Sequence, residues 1–359
     1  MLRPSAVSAL GVAAILSSAA TGCSAPQAAS RESPSLTDVA RSSSFLVDPG
    51  TLDVENVYLP AVLVLATIVD SSGKLYPSAC SGVFVHPRVV ITAGHCLCLV
   101  HPPTPQDERR PEKPAKGEVV TRAHELQGAA VTGILDKRSS CAQLANVFTL
   151  AYHSGTDGGS PTVERDQYSG HVQIHPEIEL ISGKAEGQTK VRWNNADLAA
   201  IVLDQPVPPG IEPLALPGSE VEVGDDLVMV GYGTVEPMKR AMRQSGVTEV
   251  MRVLELETGS VLFGAKVAPG DGQDVVPVAR RGDSGGACVL KKHPNVLLGI
   301  ITMQTEMPDG TQMVLFTSTF SQKHWLEDTI RQADLALDGG VAVPRSDAGS
   351  TPSPRPAAR

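Results

Sequence analysis

Aromatic side chains are scarce in this chain: Phe, Trp and Tyr make up 4% of its 359 residues. Any core must therefore be built from aliphatic residues, and a hydrophobic content of 42% makes such a core feasible. Positive charge is also in short supply. Lys and Arg number 30 against 39 Asp and Glu, a formal net charge of −9. That balance argues against nucleic acid or an anionic membrane surface as a partner. No apolar run spans a bilayer comfortably, because Ala6–Ala20 falls short of the ~20 residues a spanning helix needs. No internal repeat is evident. What the chain holds in quantity is turn formers, 33 Gly and 28 Pro, which all-β folds require.

The ends read as export and tethering segments. Arg3 precedes the short apolar stretch, as in a secretory signal. Next comes "AATGC", Ala19–Cys23. Small residues before a cysteine resemble the lipobox of bacterial lipoproteins, whose cysteine is diacylated through sulfur and becomes the new N-terminus. Gly22 fits that pattern, while Ala20 stands where Leu is preferred. The resemblance implies a signal peptide over 1–22, lipidation at Cys23 and a flexible tether over 23–53, rich in Ser, Ala and Pro. The alternative is an ordinary signal peptide cut nearby, with an incidental cysteine. Either reading takes the protein out of the cytoplasm, to the cell envelope or the medium, where disulfides are permitted. Residues 333–359, which end in "VAVPRSDAGSTPSPRPAAR", read as a disordered tail.

Between these ends, short β-branched runs alternate with turn residues. Ala61–Val69 reads as a buried strand, and Ser81–Cys96 as two strands broken at His86-Pro87. Asp197–Leu203, Asp226–Gly233, Ala287–Leu290 and Asn295–Met303 continue the pattern. Strands at this spacing indicate a sandwich or barrels. One helix is expected near the C-terminus, capped by Ser321, with Trp325, Leu326, Thr329 and Ile330 on one face. The proline-rich, charged stretch Val100–Glu118 begins a region of weak strand signal, read as a surface insertion over about 99–168. Its "DERRPEK" run, and His124, His153 and His171, are read as solvated, and His86 and His175, each before a proline, as turn residues.

Three segments carry chemistry. "TAGHC" places His95 just after a strand, "NNADLAAIVL" places Asp197 at the head of another, and "GDSGG" holds Ser284 among glycines. A serine hydroxyl needs a base to become a useful nucleophile. A histidine serves near neutral pH, and a carboxylate on its other nitrogen fixes the tautomer. The order and local contexts of these residues resemble the trypsin/chymotrypsin family of serine proteases. The triad mechanism is that family's standing template. "GYG" at Gly231–Gly233, "LLGIIT" at Leu297–Thr302 and the closing "HWLEDTI" are similar to further parts of it. The resemblance covers roughly Val54 to Gln332, leaving aside the insertion.

It implies two packed six-stranded Greek-key barrels with a C-terminal helix, a protease domain over 54–332, and a serine endopeptidase working through an acyl-enzyme. His95 is then the base, Asp197 its orienter and Ser284 the nucleophile. The backbone N–H groups of Gly282 and Ser284 form the oxyanion hole. Cys80 and Cys96 match the family's disulfide beside the histidine. Cys98 and Cys141 remain to tie the insertion down, and Cys288 reads as a buried free thiol. A zinc site at Cys96 and Cys98 lacks a second ligand pair, and no metal or organic cofactor is expected.

The chain also departs from the family. Val278 stands where trypsin-like members carry a pocket Asp, and Arg280 where a cysteine is usual. Met303 and Gln304 replace an aromatic-Gly wall, implying a pocket for small or medium side chains. Thr302 matches a serine that supports the triad Asp, and reads almost as well as a plain strand residue. "TLDVENVYLP", Thr51–Pro60, lacks the family's activation motif, so Asp283 needs a partner other than a freed N-terminus, or Val54 supplies one after a cut. Expected partners are a protein or peptide substrate, and a membrane only through the Cys23 anchor. The competing reading is a catalytically silent homologue that binds a partner through the same cleft; a third is an envelope lipoprotein using the barrels as a scaffold.

Overall fold

The computed structural model describes residues 51–104, 119–126, 129–153, 162–185, 188–233, 242–267, 282–306 and 312–338. The export signal, Cys23, the tether before Thr51, Val278, Arg280, Arg281 and the last 21 residues, 339–359, lie outside the described residues. The described chain starts on a two-residue strand, β1 (Thr51–Leu52). Six strands then close into a barrel: β2 (Ala61–Val69), β3 (Leu75–His86), β4 (Val89–Thr92), β6 (Leu144–His153), β7 (Thr162–Ile174) and β10 (Ala199–Leu203). Their cyclic order is β10-β4-β3-β2-β6-β7. The aliphatic runs explain the burial. All of β4 and β10 is buried, and each Val, Leu or Ile removed from water contributes roughly 1.5–3 kcal/mol.

The second half comprises β11 (Asp226–Gly231), β12 (Gln244–Glu255), β13 (Val261–Val267), β14 (Ala287–Leu290), β15 (His293–Glu306) and β16 (Gln312–Ser318). They run β12-β11-β14-β15-β16-β13, and β12 pairs again with β13, closing a second ring of six. Strand β12 bends at a register shift between Val250 and Arg252, so one half pairs with β11 and the other with β13. β1 is appended to β12 at Gln244 and Ser245. Closure removes free sheet edges. The fold is thus the expected double barrel with a C-terminal helix, Lys323–Asp338. One apolar cluster runs across the junction, from Val90, Ile91 and Ala200 in the first barrel to Val230, Ala287 and Ile300 in the second.

Three details differ from the sequence reading. Only part of the expected insertion is additional to the barrel: β6 and β7, within or overlapping residues 99–168, are barrel strands. β7 begins with six exposed residues, so its sequence carries little apolar alternation. The true addition is β5 (Ala130–Leu135), which joins β8 (Glu179–Ala185) and β9 (Gln188–Asn195) in a separate three-stranded sheet. That sheet reaches the second barrel. Its Ile134, Ile181 and Trp193, with Leu126, pack with Leu256 and Leu262, and beside it Val120, outside its strands, donates its N–H to Glu255 O and accepts from Glu257 N–H, at 2.8–2.9 Å. Second, Ser321 does not cap the helix. Its hydroxyl donates to Ser318 O and accepts from Val261 N–H, and the helix starts at Lys323. Third, residues 333–338, expected in the tail, complete that helix, where Ala333 O accepts from Arg88 Nη1 at 3.3 Å.

Candidate active site

His95 occupies a single 3₁₀ turn, Gly94–Cys96, that follows β4. The turn is closed by Leu97 N–H to Gly94 O at 2.9 Å. Gly94 is required by close approach: a Cβ there would lie 2.2 Å from Ile178 Cδ1 and 3.3 Å from Asp197 Oδ1. Asp197 lies between β9 and β10 and is fully buried. It sits at the centre of a tight turn, in which Leu198 N–H reaches Ala196 O at 2.7 Å. Ala196 adopts φ 47°, a left-handed conformation that costs a non-glycine residue roughly 1–2 kcal/mol. Strain of that size next to a functional side chain has to be offset by the surrounding contacts.

Both carboxylate oxygens of Asp197 face His95. Oδ1 accepts from the His95 backbone N–H at 2.8 Å, and Oδ2 lies 2.6 Å from Nδ1. An ionised carboxylate only accepts, so Nδ1 carries the proton and the neutral ring leaves Nε2 as acceptor. Burial on its own would lower the pKa of His95; the charge and hydrogen bond of Asp197 outweigh it and raise the value above 6.5. The side chain retains 28% exposure, so the ring can meet a ligand.

Ser284 lies on a turn made possible by Gly282 (φ 102°) and Gly285 (φ 84°). The turn is pinned to the first barrel through Ser81. Ser81 N–H donates to Ser284 O at 2.8 Å and Ser81 Oγ donates to Gly282 O at 2.8 Å. Ser284 O also lies 3.6 Å from the sulfur of Cys96, the neighbour of His95. On the other side, Gly285 N–H donates to Ile301 O at 2.7 Å. A Cβ on Gly285 would fall 2.1 Å from Thr92 Oγ1 and 2.2 Å from Ser81 O. The Ser284 turn thus sits tightly against the histidine turn. Among the described residues, the Ser284 hydroxyl has no hydrogen-bond partner, His95 included, and the amides of Gly282 and Ser284 have no acceptor. A half-buried serine on a turn seated against the histidine turn, with two amides that have no acceptor among the described residues, suits attack on a carbonyl and stabilisation of the resulting oxyanion.

Both expected cysteine pairs are disulfides, Cys80–Cys96 and Cys98–Cys141, and Cys288 is free and buried. Such bonds are consistent with an exported protein. The remaining expectations scatter. Thr302 is buried but does not reach Asp197: its hydroxyl accepts from Asn194 Nδ2 at 3.2 Å and donates to Leu315 O at 3.2 Å. The cause is a bulge in β15 between Ile301 and Met303, which turns Thr302 away. Met303 packs against Cys98, Ile178 and Leu180 beside the added sheet, and Gln304 is exposed. Val54 is 47% exposed in the intact chain. Asp283 is fully buried and accepts from Gly233 N–H at 3.0 Å. Sequence reasoning missed Ser81 and Asn194, whose only signal is a small polar residue within an apolar strand or at a strand end.

No curated protein matches. Among solved structures, the scabies mite inactivated protease paralogue S-I1 aligns with a TM-score of 0.44 and 18% identity, over 79% of this chain and 99% of that one. The trypsin family model matches residues 151–326, a stretch that takes in Asp197 and the Ser284 turn and begins after His95.

Proposed function

We propose that this chain is an exported serine endopeptidase that hydrolyses peptide bonds through an acyl-enzyme. The observation that carries the reading is the 2.6 Å contact of Asp197 with His95 beside the Ser284 turn. Ser284 Oγ attacks the scissile carbonyl while its proton passes to His95 Nε2. The oxyanion is held by the amides of Gly282 and Ser284. Collapse breaks the C–N bond, and His95 returns the proton to the departing amine. Water then attacks the ester, giving a proton to His95, and Ser284 leaves with that proton restored. Losing one oxyanion donor costs ~10²–10³ in rate. Side chains, two backbone amides and water suffice for these steps.

The pocket is proposed not to prefer Lys or Arg, since Val278 cannot pair with either. A cleavage profile on a peptide library dominated by basic residues would refute this. A lipid anchor at Cys23 is proposed to hold the protein at the cell envelope; mass spectrometry of the mature N-terminus decides it. The test of the activity is fluorophosphonate labelling of the full chain. Labelling at Ser284, lost in Ser284→Ala and His95→Ala, supports the proposal; a folded chain that resists labelling overturns it. That second outcome favours a silent homologue binding peptides in the cleft.

A further inference from the structure

The largest fully buried side chain in the described residues is a charged one, Arg243. It lies far in sequence from the residues it binds. Its Nε donates to Asp53 Oδ2 at 2.7 Å, Nη1 to Leu150 O at 2.6 Å and to Tyr232 Oη at 3.2 Å, and Nη2 to Asn56 Oδ1 at 3.0 Å. Asp53 is itself buried, and accepts from the N–H groups of Val57 and Tyr58. Asp53 N–H donates to Arg243 O at 3.1 Å, and β1 pairs with β12 alongside. The N-terminal arm, Thr51–Tyr58, is therefore fastened to the second barrel through an ion pair out of reach of water.

The other end of this network is the nucleophile turn. Tyr232 is fully buried; its hydroxyl takes the Arg243 bond and donates to Ala61 O at 2.9 Å. Its backbone N–H donates to Ser81 Oγ, which donates on to Gly282 O, each at 2.8 Å. The flanking glycines touch Asp283: Gly233 N–H donates to Oδ1, and a Cβ on Gly231 would sit 2.2 Å from that same oxygen. Three consecutive residues, Gly231–Tyr232–Gly233, thus form the bed on which Gly282–Ser284 rests. Arg243 and Asp53 hold that bed from behind.

We infer that Arg243 is a positioning residue: with Asp53 it clamps the uncut N-terminal arm behind Tyr232, and so holds the Gly282–Ser284 turn in its working shape without any cleavage of the arm. A charge pair buried this deeply is rarely a gain in stability over apolar residues of the same size, and its attested use is to fix one arrangement among several. Here the arrangement fixed is the register of the arm and of Tyr232. The inference rests on the proteolytic reading for its purpose, but the clamp itself is testable without catalysis.

The experiment is amide hydrogen exchange on the full chain, read peptide by peptide, for the wild type, Arg243→Met and Tyr232→Phe. Tyr232→Phe removes one hydroxyl and keeps the ring, so it remains informative if Arg243→Met, which strands Asp53, fails to fold. The clamp predicts that exchange at Gly282–Gly286 quickens at least tenfold in Tyr232→Phe, and more in a folded Arg243→Met. Peptides of β5 and β8 should keep their wild-type rates, which a general loss of stability would not allow. Unchanged exchange at the Ser284 turn in Tyr232→Phe overturns the inference. Fluorophosphonate labelling then separates the two claims. Labelled wild type whose N-terminus precedes Thr51 supports the clamp, and a labelled population cut within Thr51–Tyr58 overturns it. Wild type that is never labelled, yet responds in exchange, removes the protease and leaves the clamp.

Discussion

Replacing Gly285 by alanine should be among the most damaging single-methyl changes this chain can suffer, and a matched control isolates why. Gly285 and Gly259 share nearly the same backbone, with φ 84° and 82°. Their surroundings differ completely. Nothing lies within 4 Å of a Cβ on Gly259, whereas on Gly285 it would meet Thr92 Oγ1 at 2.1 Å, Ser81 O at 2.2 Å and Ala93 N at 3.1 Å. The left-handed backbone costs alanine ~1–2 kcal/mol, partly offset by ~0.4–1 kcal/mol from a stiffer unfolded chain. Gly259→Ala should therefore cost about 1 kcal/mol or less. Gly285→Ala carries the same term plus overpacking of ~1–3 kcal/mol, because two of the three obstacles are backbone atoms that cannot rotate aside. It also displaces the Thr92 hydroxyl from its 2.7 Å bond to Ser81 O, worth ~1 kcal/mol. The expected total is about 3–5 kcal/mol. Urea denaturation of both variants with the disulfides intact measures the difference through the midpoint at constant slope. Two variants equal within about 0.5 kcal/mol would refute the tight seating of the nucleophile turn on the histidine turn.

Further expectations follow from the titrating and bonded groups. Since Asp197 raises the pKa of His95, the labelling rate of Ser284 should fall with decreasing pH around a midpoint above 6.5, and Asp197→Asn should move that midpoint below 6.5, where burial alone would put it; imidazole proton resonances report both. Thr302→Val removes a hydroxyl bonded to Asn194 and Leu315, so it should cost ~1–2 kcal/mol in urea yet leave the His95 midpoint unmoved; a shifted midpoint would show that Thr302 supports Asp197 after all. His175 is held down to about 4 by burial. Its folded value lies below the unfolded one, so stability is complete above pH 6.5 and is lost as pH falls from there towards 4, by up to about 3 kcal/mol. His175→Phe should flatten that slope in melts across the range. Replacing Cys98 and Cys141 by serine opens a loop of 43 residues and should cost about 4 kcal/mol by the chain-entropy relation, seen as an earlier urea midpoint.

Much of the double barrel is legible in the amino-acid order because its strands are local apolar runs. Ala61–Val69 and Ala287–Leu290 emerge with the expected ends. β7 is not legible, since a strand exposed along its first half carries charged and polar residues at successive positions. The added sheet is not legible either: β5 pairs with β8 across about fifty residues, Leu135 opposite Leu180, and no local signal specifies a partner so distant. At the site, His95, Asp197 and Ser284 stand out because their order and local contexts together resemble those of the trypsin/chymotrypsin family. Thr302 misleads because one extra residue in β15 reverses its direction. Arg243 is hidden because a lone arginine reads as solvated, and only the fold shows that Asp53, Asn56 and Tyr232 converge on it.

The added sheet has a mechanical consequence. By packing Trp193 on Leu256 and Leu262, with the neighbouring Val120 bonded to Glu255 and Glu257, it straps one half of the molecule to the other. The two halves cannot part without breaking that strap. Calorimetry should then record one melting peak for both halves.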